Sequence, residues 1–379
     1  MSWTNLKFYN PFFFTLFFSS ALSAQISTSV LTDNKLKTKL DTAVDYAVRI
    51  YLQDGKTNGV SIGVYDKGKS YTYNYGKTKL ATADKFYNIG SVAKTFVTTI
   101  LAQAIIDKKV ILNDDIRKFL PSSYPNLEYN GHPVCFVNLA NHTSGLPTTF
   151  RTFSPAVQDT LRKMSMAQQV HFFSLYNEDS LLSDLHNVKP DTLPGTRFQY
   201  NSTAMELLEI LLERIYKKPY GQVVTDFLKA RLKMFHTKSF LTETEIRKAV
   251  QGYNGSGKPQ QFFNLRGYYF GPTMNSTIHD MLKYIKANLL NNNKAISLTH
   301  HLTYGRENGF GLGLGWMMDS DSSGARYLYH DGNTKIGYNT LCVFYPGKEL
   351  GFIIIANDTT SQENVGQIEN NIKKKLDKE

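Results

Sequence analysis

The sequence predicts an α/β protein in which one antiparallel sheet, built from both ends of the chain, is interrupted by a large helical insertion. Runs rich in β-forming residues, joined by short turns, occur near the start of the chain and again after residue 309. Between them, apolar residues recur at helical spacing. Short hairpin connections require antiparallel neighbours, because parallel strands need a long crossover.

The elements of the predicted sheet region come first and last in the chain. Residues 36–53 have the apolar periodicity of an amphipathic helix, and residues 60–65 and 70–75 flank a glycine-containing turn, as in a hairpin. The same reasoning predicts C-terminal strands at 311–317, 326–330, 338–345 and 351–356, followed by a closing helix at 363–376.

The middle of the chain is predicted to be helical. Candidate helices are residues 92–107, 167–176, 203–216, 220–232 and 278–288, with a long loop at 251–272. We therefore expect residues 25–379 to form one domain. Its sheet subdomain would combine 33–90 with 309–379, and its helical subdomain would be 91–308.

Residues 1–24 have the order of a secretory signal peptide. Lys7 precedes a short apolar run at 12–18, and small residues fill 19–24. The apolar run is shorter than the roughly 20 residues that span a bilayer. An uncleaved anchor is the alternative. We expect a periplasmic or secreted protein with no integral membrane segment in the mature chain.

Composition and motifs exclude several function classes. The formal charge of +11 invites a nucleic-acid hypothesis, but Lys and Arg are scattered and the densest run, 373–375, lies on the last predicted helix. We expect no nucleic-acid partner. His300 and His301 lack further ligands at metal spacing, and residues 309–315 lack a phosphate-loop lysine, so no metal and no cofactor are predicted. Cys135 and Cys342 are expected to be separate, unpaired residues.

The segment from Asn88 to Phe96 is the most informative for chemistry. Ser91 follows Gly90 at the start of a predicted helix, and Lys94 lies one turn later on the same face. A serine hydroxyl is a poor nucleophile without a base beside it, and a lysine serves only if its ammonium is destabilised. The spacing alone equally fits an N-cap serine and a surface lysine.

Further segments support the chemical interpretation, in one order along the chain. They are 86–94, Asp114-Asp115 with Leu120-Pro121, Leu139 to Pro147 (L-A-N-H-T-S-G-L-P), Pro194-Gly195 with Phe198-Gln199-Tyr200, 311–316, and His330 to Thr334 (H-D-G-N-T). Together they resemble the serine β-lactamase and penicillin-binding-protein superfamily, particularly its class C branch and the related peptidases and esterases. The resemblance implies the β-lactamase/transpeptidase-like fold.

The resemblance also implies roles for residues distant in sequence. Tyr200 matches the tyrosine of the Tyr-x-Asn motif, which exchanges protons with the nucleophile and lysine. Ser202 stands where that motif has asparagine, and a hydroxyl lacks the simultaneous donor and acceptor of an amide. We expect Asn201 and Ser202 to contact the substrate. His142 is expected to be structural, and the Tyr-x-Asn spelling at 124–126, out of order, receives no role.

The third motif is His330-Asp331-Gly332, in place of the Lys-Thr-Gly box. The resemblance implies that His330 assists proton transfer and binds a substrate carboxylate. Asp331 is expected to raise the pKa of His330. Gly332 would let the substrate lie against the strand. The backbone amides of Ser91 and Asn333 are the expected oxyanion hole.

The sequence therefore predicts a secreted serine hydrolase acting through an acyl-enzyme on β-lactam, D-alanyl peptide or related amide and ester substrates. Its partner would be a small molecule or a peptidoglycan fragment. One alternative is a D-alanyl-D-alanine carboxypeptidase/endopeptidase or esterase with little β-lactamase activity. Another, motivated by Ser202, is a penicillin-binding sensor without turnover.

Overall fold

A computed structural model of the chain describes residues 30–53, 57–264, 271–359 and 362–377. The predicted signal peptide lies outside these ranges. The strands are β1 (Leu31–Thr32), β2 (Gly59–Asp66), β3 (Lys69–Gly76), β4 (Tyr87–Asn88), β5 (Glu128–Tyr129), β6 (His132–Pro133), β7 (Gly252–Tyr253), β8 (Pro259–Gln260), β9 (Asn275–Ser276), β10 (Tyr304–Gly305), β11 (Gly311–Leu312), β12 (Met317–Ser320), β13 (Arg326–Thr334), β14 (Tyr338–Tyr345) and β15 (Leu350–Ala356).

The helices are α1 (Lys39–Gln53), α2 (Ala93–Ile106), α3 (Phe136–Ala140), α4 (Pro155–Lys163), α5 (Met166–Ser174), α6 (Glu178–Leu185), α7 (Ser202–Tyr216), α8 (Tyr220–Phe227), α9 (Glu243–Ile246), α10 (Ile278–Leu290), α11 (Lys294–Thr299) and α12 (Gln362–Asp377). Short 3₁₀ turns occupy Gly90–Val92, Ile116–Phe119 and Pro346–Lys348, and a π-helical turn occupies Leu228–Leu232.

The main sheet confirms the predicted fold class. Among the described strands, nine form one sheet in the order β1-β3-β2-β15-β14-β13-β12-β11-β10, and every neighbouring pair is antiparallel. The two ends of the chain meet where β2 pairs with β15, with Ile62 opposite Ile354. The sheet is thus built from both termini, and the helical segments lie between them in sequence.

The core lies on both faces of this sheet. On one face, Ile62 and Ile354 pack with Val48 of α1 and Ile368 of α12. On the other face, side chains at alternate positions, such as Ile353 and Ile355, pack against α10 and the helices beyond it. This period of two explains why β15 is a continuous apolar run, because both of its faces are buried.

The predicted strand at 311–317 is wrong as a continuous element. β11 ends at Leu312 and β12 begins at Met317, and between them the Gly313 amide donates to the Trp316 carbonyl over 2.9 Å. Gly315 has φ +71 and donates to the Ala140 carbonyl, and a Cβ there would lie 2.4 Å from Thr98 Oγ1. The glycines therefore form a turn that docks on α2 instead of extending the sheet.

The predicted helix at 220–232 also changes character, since α8 ends at Phe227 and continues as the π-helical turn. The short helices α3, α4, α6, α9 and α11 were not predicted; α4 and α9 bury no side chain, so packing against the core does not mark them.

Three negative expectations concern the described residues. Cys135 and Cys342 are both free thiols, so they do not pair. Within the ranges that the structure covers, no helix is long and apolar enough to cross a membrane. In the same ranges, no group of three or more His, Cys, Asp or Glu side chains is arranged to hold a metal ion.

Candidate active site

Ser91 lies in a tight turn between β4 and α2. Gly90 adopts φ +54, and its amide donates to the Asn88 side-chain oxygen over 3.0 Å. The turn residues Gly90–Val92 form a single 3₁₀ turn that leads directly into α2. Ser91 is half-buried, at the helix N-terminus, where free amides favour a developing negative charge.

Lys94 projects from the first turn of α2 toward Ser91. Its side chain is buried, at 1% exposure, and its Nζ donates a hydrogen bond to Ser91 Oγ over 2.9 Å. A buried ammonium requires a partner, and here that partner is the predicted nucleophile. The i, i+3 spacing has therefore produced contact rather than an N-cap and a solvated lysine.

Two glycines bring strand β13 against the nucleophile turn. A Cβ added at Gly332 would lie 2.4 Å from the Ile89 carbonyl oxygen and 3.0 Å from the Ser91 nitrogen. A Cβ added at Gly90 would lie 3.1 Å from the Asn333 nitrogen. The backbone of Ser91 and the backbone of Asn333 can approach this closely only because both positions lack side chains. The predicted oxyanion amides are thereby adjacent.

Gly332 thus differs from its predicted role. It was expected to make room for substrate, and the structure shows that it makes room for the turn carrying Ser91. The Asn333 side chain is exposed, and its Nδ2 donates to Asn339 Oδ1 over 2.7 Å. Beyond Tyr329, where pairing with β12 ends, β13 continues to Thr334 and pairs with β14 on its other edge.

Asn201 is a correction to the predicted substrate contacts. Its side chain is buried at 1% exposure and caps α7, where Oδ1 accepts from the Ala204 amide over 2.9 Å. Its Nδ2 donates to the carbonyls of Leu146 and Pro147. Both amide hydrogens are therefore engaged by backbone. Asn201 joins the 139–147 segment to α7 and leaves no free donor for a substrate.

Tyr200 lies beside the catalytic candidates, immediately before α7. Its ring centroid is 5.1 Å from Lys94 Nζ, and its side chain is 37% exposed. The ring lies 4.5 Å from the His142 ring and 6.1 Å from the His330 ring. An ammonium at this distance from a phenol ring is attracted to it. The structure therefore brings Ser91, Lys94 and Tyr200 together from two distant segments.

His142 packs against Tyr200 and helps to hold it in place. It is buried, with φ +59, and its Nδ1 accepts a hydrogen bond from the Asn201 amide over 3.2 Å. Burial lowers the pKa of His142 well below its ordinary value, and the positive charge of Lys94 lowers it further. A neutral imidazole that accepts at Nδ1 and packs on Tyr200 positions the loop before α7, which agrees with the structural role expected from the sequence.

The pKa of His330 is set mainly by burial. It is buried at 1% exposure, and its Nδ1 donates to the Asp331 carbonyl over 2.6 Å. Burial lowers the pKa of His330 to about 4, and Lys94 adds to the effect; the attraction of Asp331 opposes both but is outweighed. Asp331 therefore acts on the His330 pKa in the expected direction, but burial outweighs it, and the net shift favours a neutral imidazole at neutral pH.

Ser202 lies close to Gly271. A Cβ added at Gly271 would lie 3.2 Å from Ser202 Cβ and 3.6 Å from Lys94 Nζ. Gly271 has φ +77, and its amide donates to Glu206 Oε1 over 2.5 Å. Ser202 is half-buried. Ser202 and Lys94 therefore both lie against the backbone at Gly271, a segment that the sequence did not identify.

Glu206 is the residue that sequence reasoning missed. Its side chain is 1% exposed, and burial raises the pKa of its carboxyl well above the ordinary value, although the Gly271 amide and Lys94 oppose this. No local signal marked it. Glu206, Glu209 and Glu213 recur at helical spacing on α7, a pattern typical of a solvent-facing side of a helix.

Similarity to known proteins agrees with this geometry. The family model Beta-lactamase matches residues 44–375. The chain is 24% identical to the beta-lactamase of Pseudomonas fluorescens over 349 residues, covering 81% of this chain and 90% of that protein. It is also 24% identical to protein flp of Staphylococcus aureus (strain N315), where the match covers 81% of this chain and 61% of that protein.

Solved structures share the fold. A beta-lactamase/D-alanine carboxypeptidase from Pseudomonas syringae superposes with a TM-score of 0.73 at 21% identity, covering 89% of this chain and 99% of that one. An octameric penicillin-binding protein homologue from Pyrococcus abyssi gives 0.71 at 18% identity, covering 87% and 76%. With the family model spanning most of its length, the chain belongs to the Beta-lactamase family, within the superfamily of serine β-lactamases and penicillin-binding proteins.

Proposed function

We propose that this serine hydrolase acts through an acyl-enzyme formed on Ser91. The observation that carries the proposal is the 2.9 Å contact between Lys94 Nζ and Ser91 Oγ, made by a lysine that is almost fully buried. A buried amine beside a hydroxyl at a helix N-terminus is an arrangement that activates serine as a nucleophile. Tyr200, with its ring beside the same amine, is the third member.

The proposed reaction has two stages. Ser91 Oγ bonds to the carbonyl carbon of the substrate, and its proton passes to Lys94 in its neutral amine form or to Tyr200 in its phenolate form. The same pair then delivers a proton to the leaving group as the carbon–leaving-group bond breaks. Water next attacks the ester formed on Ser91, gives up its proton, and releases the acid and the free serine.

The oxyanion of each tetrahedral intermediate would bind the Ser91 and Asn333 amides. The close approach of Gly90 and Gly332 supports this, because each glycine lies against the backbone that carries the other amide. Donors held in place in this way contribute about 2.7–4 kcal/mol each when removed from comparable sites. Beyond Tyr329 no strand among the described residues pairs with this edge of β13, and an extended substrate would align there.

The neutral state of His330 bears on the substrate. A β-lactam or a peptide ending in D-alanine carries a carboxylate, and a neutral imidazole offers that carboxylate no opposite charge. The observation favours esters, or amides within a longer peptide, over carboxylate-bearing substrates. We therefore place the esterase or endopeptidase alternative ahead of strong β-lactamase activity.

The test is covalent labelling followed by intact-protein mass spectrometry, with a fluorescent penicillin, a p-nitrophenyl ester and a D-alanyl-D-alanine peptide. We expect an adduct on Ser91 and ester turnover. Ser91→Ala is expected to abolish the adduct and lower kcat/KM at least about 10⁴-fold. Ser322→Ala, on an exposed turn, is the matched control. Turnover that survives Ser91→Ala would overturn the proposal, and an adduct without turnover would support the sensor alternative instead.

We also propose that residues 1–24 are removed on export and that the mature protein is periplasmic or secreted. The motivation is the order of charge, apolar run and small residues at the start of the chain. N-terminal sequencing of protein recovered from the producing cell's envelope or medium tests this. Retention of Met1 in exported protein would point to the anchor alternative, and exclusively cytoplasmic protein would contradict both.

A further inference from the structure

A second cavity lies on the other side of Gly271 from the candidate active site. Its volume is about 460 Å³. Three glutamates one helical turn apart on α7, Glu206, Glu209 and Glu213, line it, and Tyr220 at the start of α8 adds a hydroxyl. Gly271 borders this cavity and also lies against Ser202 and Lys94. The two sites therefore share a wall of one backbone segment.

Polar atoms at the floor of this cavity lack partners. Glu206 is 1% exposed, and while its Oε1 accepts from the Gly271 amide, its buried Oε2 has no hydrogen-bond partner among the described residues. Tyr220 is 5% exposed, and its hydroxyl is likewise unpartnered within the described ranges. Buried polar atoms without partners are costly, so they indicate a group that the protein alone does not supply.

The charges around the cavity do not balance. Lys238 is the one lysine or arginine among the described residues that line it, and its Nζ pairs with Glu245 over 2.7 Å. Glu213 is already engaged, because its Oε1 accepts from the Tyr220 amide over 2.6 Å. No other lysine or arginine among the described lining residues is placed to pair with Glu206 or Glu209, so a bound cation would supply the counter-charge for their ionised forms.

We propose that this cavity is a binding site for a primary ammonium group. An alkylammonium offers three hydrogen-bond donors, and the cavity presents three acceptors in Glu206 Oε2, the Tyr220 hydroxyl and the Glu209 carboxylate. The volume lies within the range of small-molecule sites, so an attached chain also fits. A metal ion is disfavoured, because the described carboxylates do not converge in a metal-binding arrangement. The proposal does not depend on catalysis by Ser91.

The protonation of the glutamates supports the same assignment. Burial raises the pKa of Glu209 to about 8, and the neighbouring Glu213 raises it further while Lys94 opposes the shift. An arriving ammonium would favour the ionised carboxylates and displace their protons. The charged and titratable groups that face this cavity are Glu206, Glu209, Glu213, Tyr220 and Lys238, with Lys94 behind Gly271.

The experiment is isothermal titration calorimetry of the full chain with n-butylammonium, and with 1-butanol and tetramethylammonium as matched ligands. The alcohol lacks the charge, and tetramethylammonium lacks the donors. We expect saturable binding of butylammonium alone, with net proton release seen as a dependence of the heat on the buffer. Glu209→Gln and Tyr220→Phe are each expected to weaken binding about tenfold, the loss of one hydrogen bond to a charged group.

Glu307→Gln removes the same charge from an exposed loop and is expected to leave binding unchanged. Ser91→Ala is also expected to bind normally, so a failure of the hydrolase proposal stays distinguishable from a failure of this one. Equal binding of tetramethylammonium, equal weakening by Glu307→Gln, or no saturable binding to folded protein would each overturn the assignment. A change in KM for an ester at saturating butylammonium would identify the ammonium as part of a substrate, and an unchanged KM would identify a separate ligand.

Discussion

Two buried titratable side chains near Gly271, Lys94 and Glu206, differ in the partners that they have. Lys94 and Glu206 are both 1% exposed. Lys94 has Ser91 Oγ at 2.9 Å and the Tyr200 ring at 5.1 Å, whereas Glu206 has one oxygen bonded to the Gly271 amide and the other unpartnered among the described residues. A buried charge is stable only with partners. The comparison teaches that the first site is complete within the chain, while the second lacks a component.

The two sides are also electrically linked. Lys94 lowers the pKa of Glu206, and Lys94 lowers the pKa of His330 on the opposite side of the active site. The buried Lys94 ammonium therefore influences the pKa values of both Glu206 and His330. Substitutions in the active site should therefore affect hydrolysis, and substitutions in the cavity beyond Gly271 should affect ammonium binding.

The largest expected difference comes from removing the amine. Lys94→Met keeps the volume and length of the side chain but cannot take or donate a proton, so kcat/KM for a p-nitrophenyl ester should fall about 10²–10⁴-fold. Glu206→Gln, across Gly271, should change the same parameter less than about tenfold, because it contacts no reacting atom. Steady-state kinetics of both variants test the contrast, and equal losses would contradict it.

The next largest expected effect comes from separating β13 from the turn that carries Ser91. Gly332→Ala would place a Cβ 2.4 Å from the Ile89 carbonyl, so β13 must move away from the Ser91 turn. Separating the two amides should lower kcat about 10²–10³-fold, the effect of losing an oxyanion donor. Gly347→Ala, where a Cβ meets nothing within 4 Å, is the control. Unchanged ester hydrolysis by folded Gly332→Ala protein would exclude this oxyanion site.

A smaller effect tests the neutral histidine. His330→Lys adds a positive charge where the structure has none, so acylation by a carboxylate-bearing β-lactam should rise about tenfold relative to acylation by a neutral ester. His330→Gln stays neutral and should leave that ratio as it is. The ratio of the two acylation rates, measured by stopped flow, is the readout. A fall in the ratio for the lysine variant would show that His330 already serves the carboxylate.

The smallest effect is on how stability depends on pH. The folded pKa of Glu209, about 8, lies above the ordinary value of 4.5, so the proton is held more tightly in the folded state. The resulting stability is present below about pH 4.5 and is lost as pH rises through about 8. Glu209→Gln removes this loss, and its Tm should exceed that of the wild type more at about pH 9 than at about pH 5. Glu307→Gln should show no such trend; a parallel shift at both pH values would contradict the assignment.

The antiparallel sheet built from both termini was predictable because its hairpins follow from local patterns. The hairpin of β2 and β3 and the β-forming composition of β14 and β15 are properties of short windows of sequence. The exception, at 311–317, is instructive. Its residues have strand composition, yet Gly315 is committed to a contact with α2, which no local pattern contains.

The site residues also divide into those that local sequence patterns predict and those that they do not. Ser91 and Lys94 are in contact because residues three apart lie on the same face of a helix, so their contact was predictable from their spacing. Tyr200 and His330 entered only through resemblance to a family, since nothing local links them to Ser91. The capping role of Asn201 could not be predicted, because its partners are the carbonyls of Leu146 and Pro147, more than fifty residues earlier.

The sequence by itself determined the fold class, the nucleophile and the amine one turn behind it, because helical and strand periodicities and a three-residue spacing are local quantities. Only the tertiary structure decided the charge of His330 and of Glu206, since burial among distant segments sets a pKa. It alone also decided that Gly332 closes the strand against the Ser91 turn and that an acidic cavity lies behind Gly271, because packing between remote elements is not written in any one window of the chain.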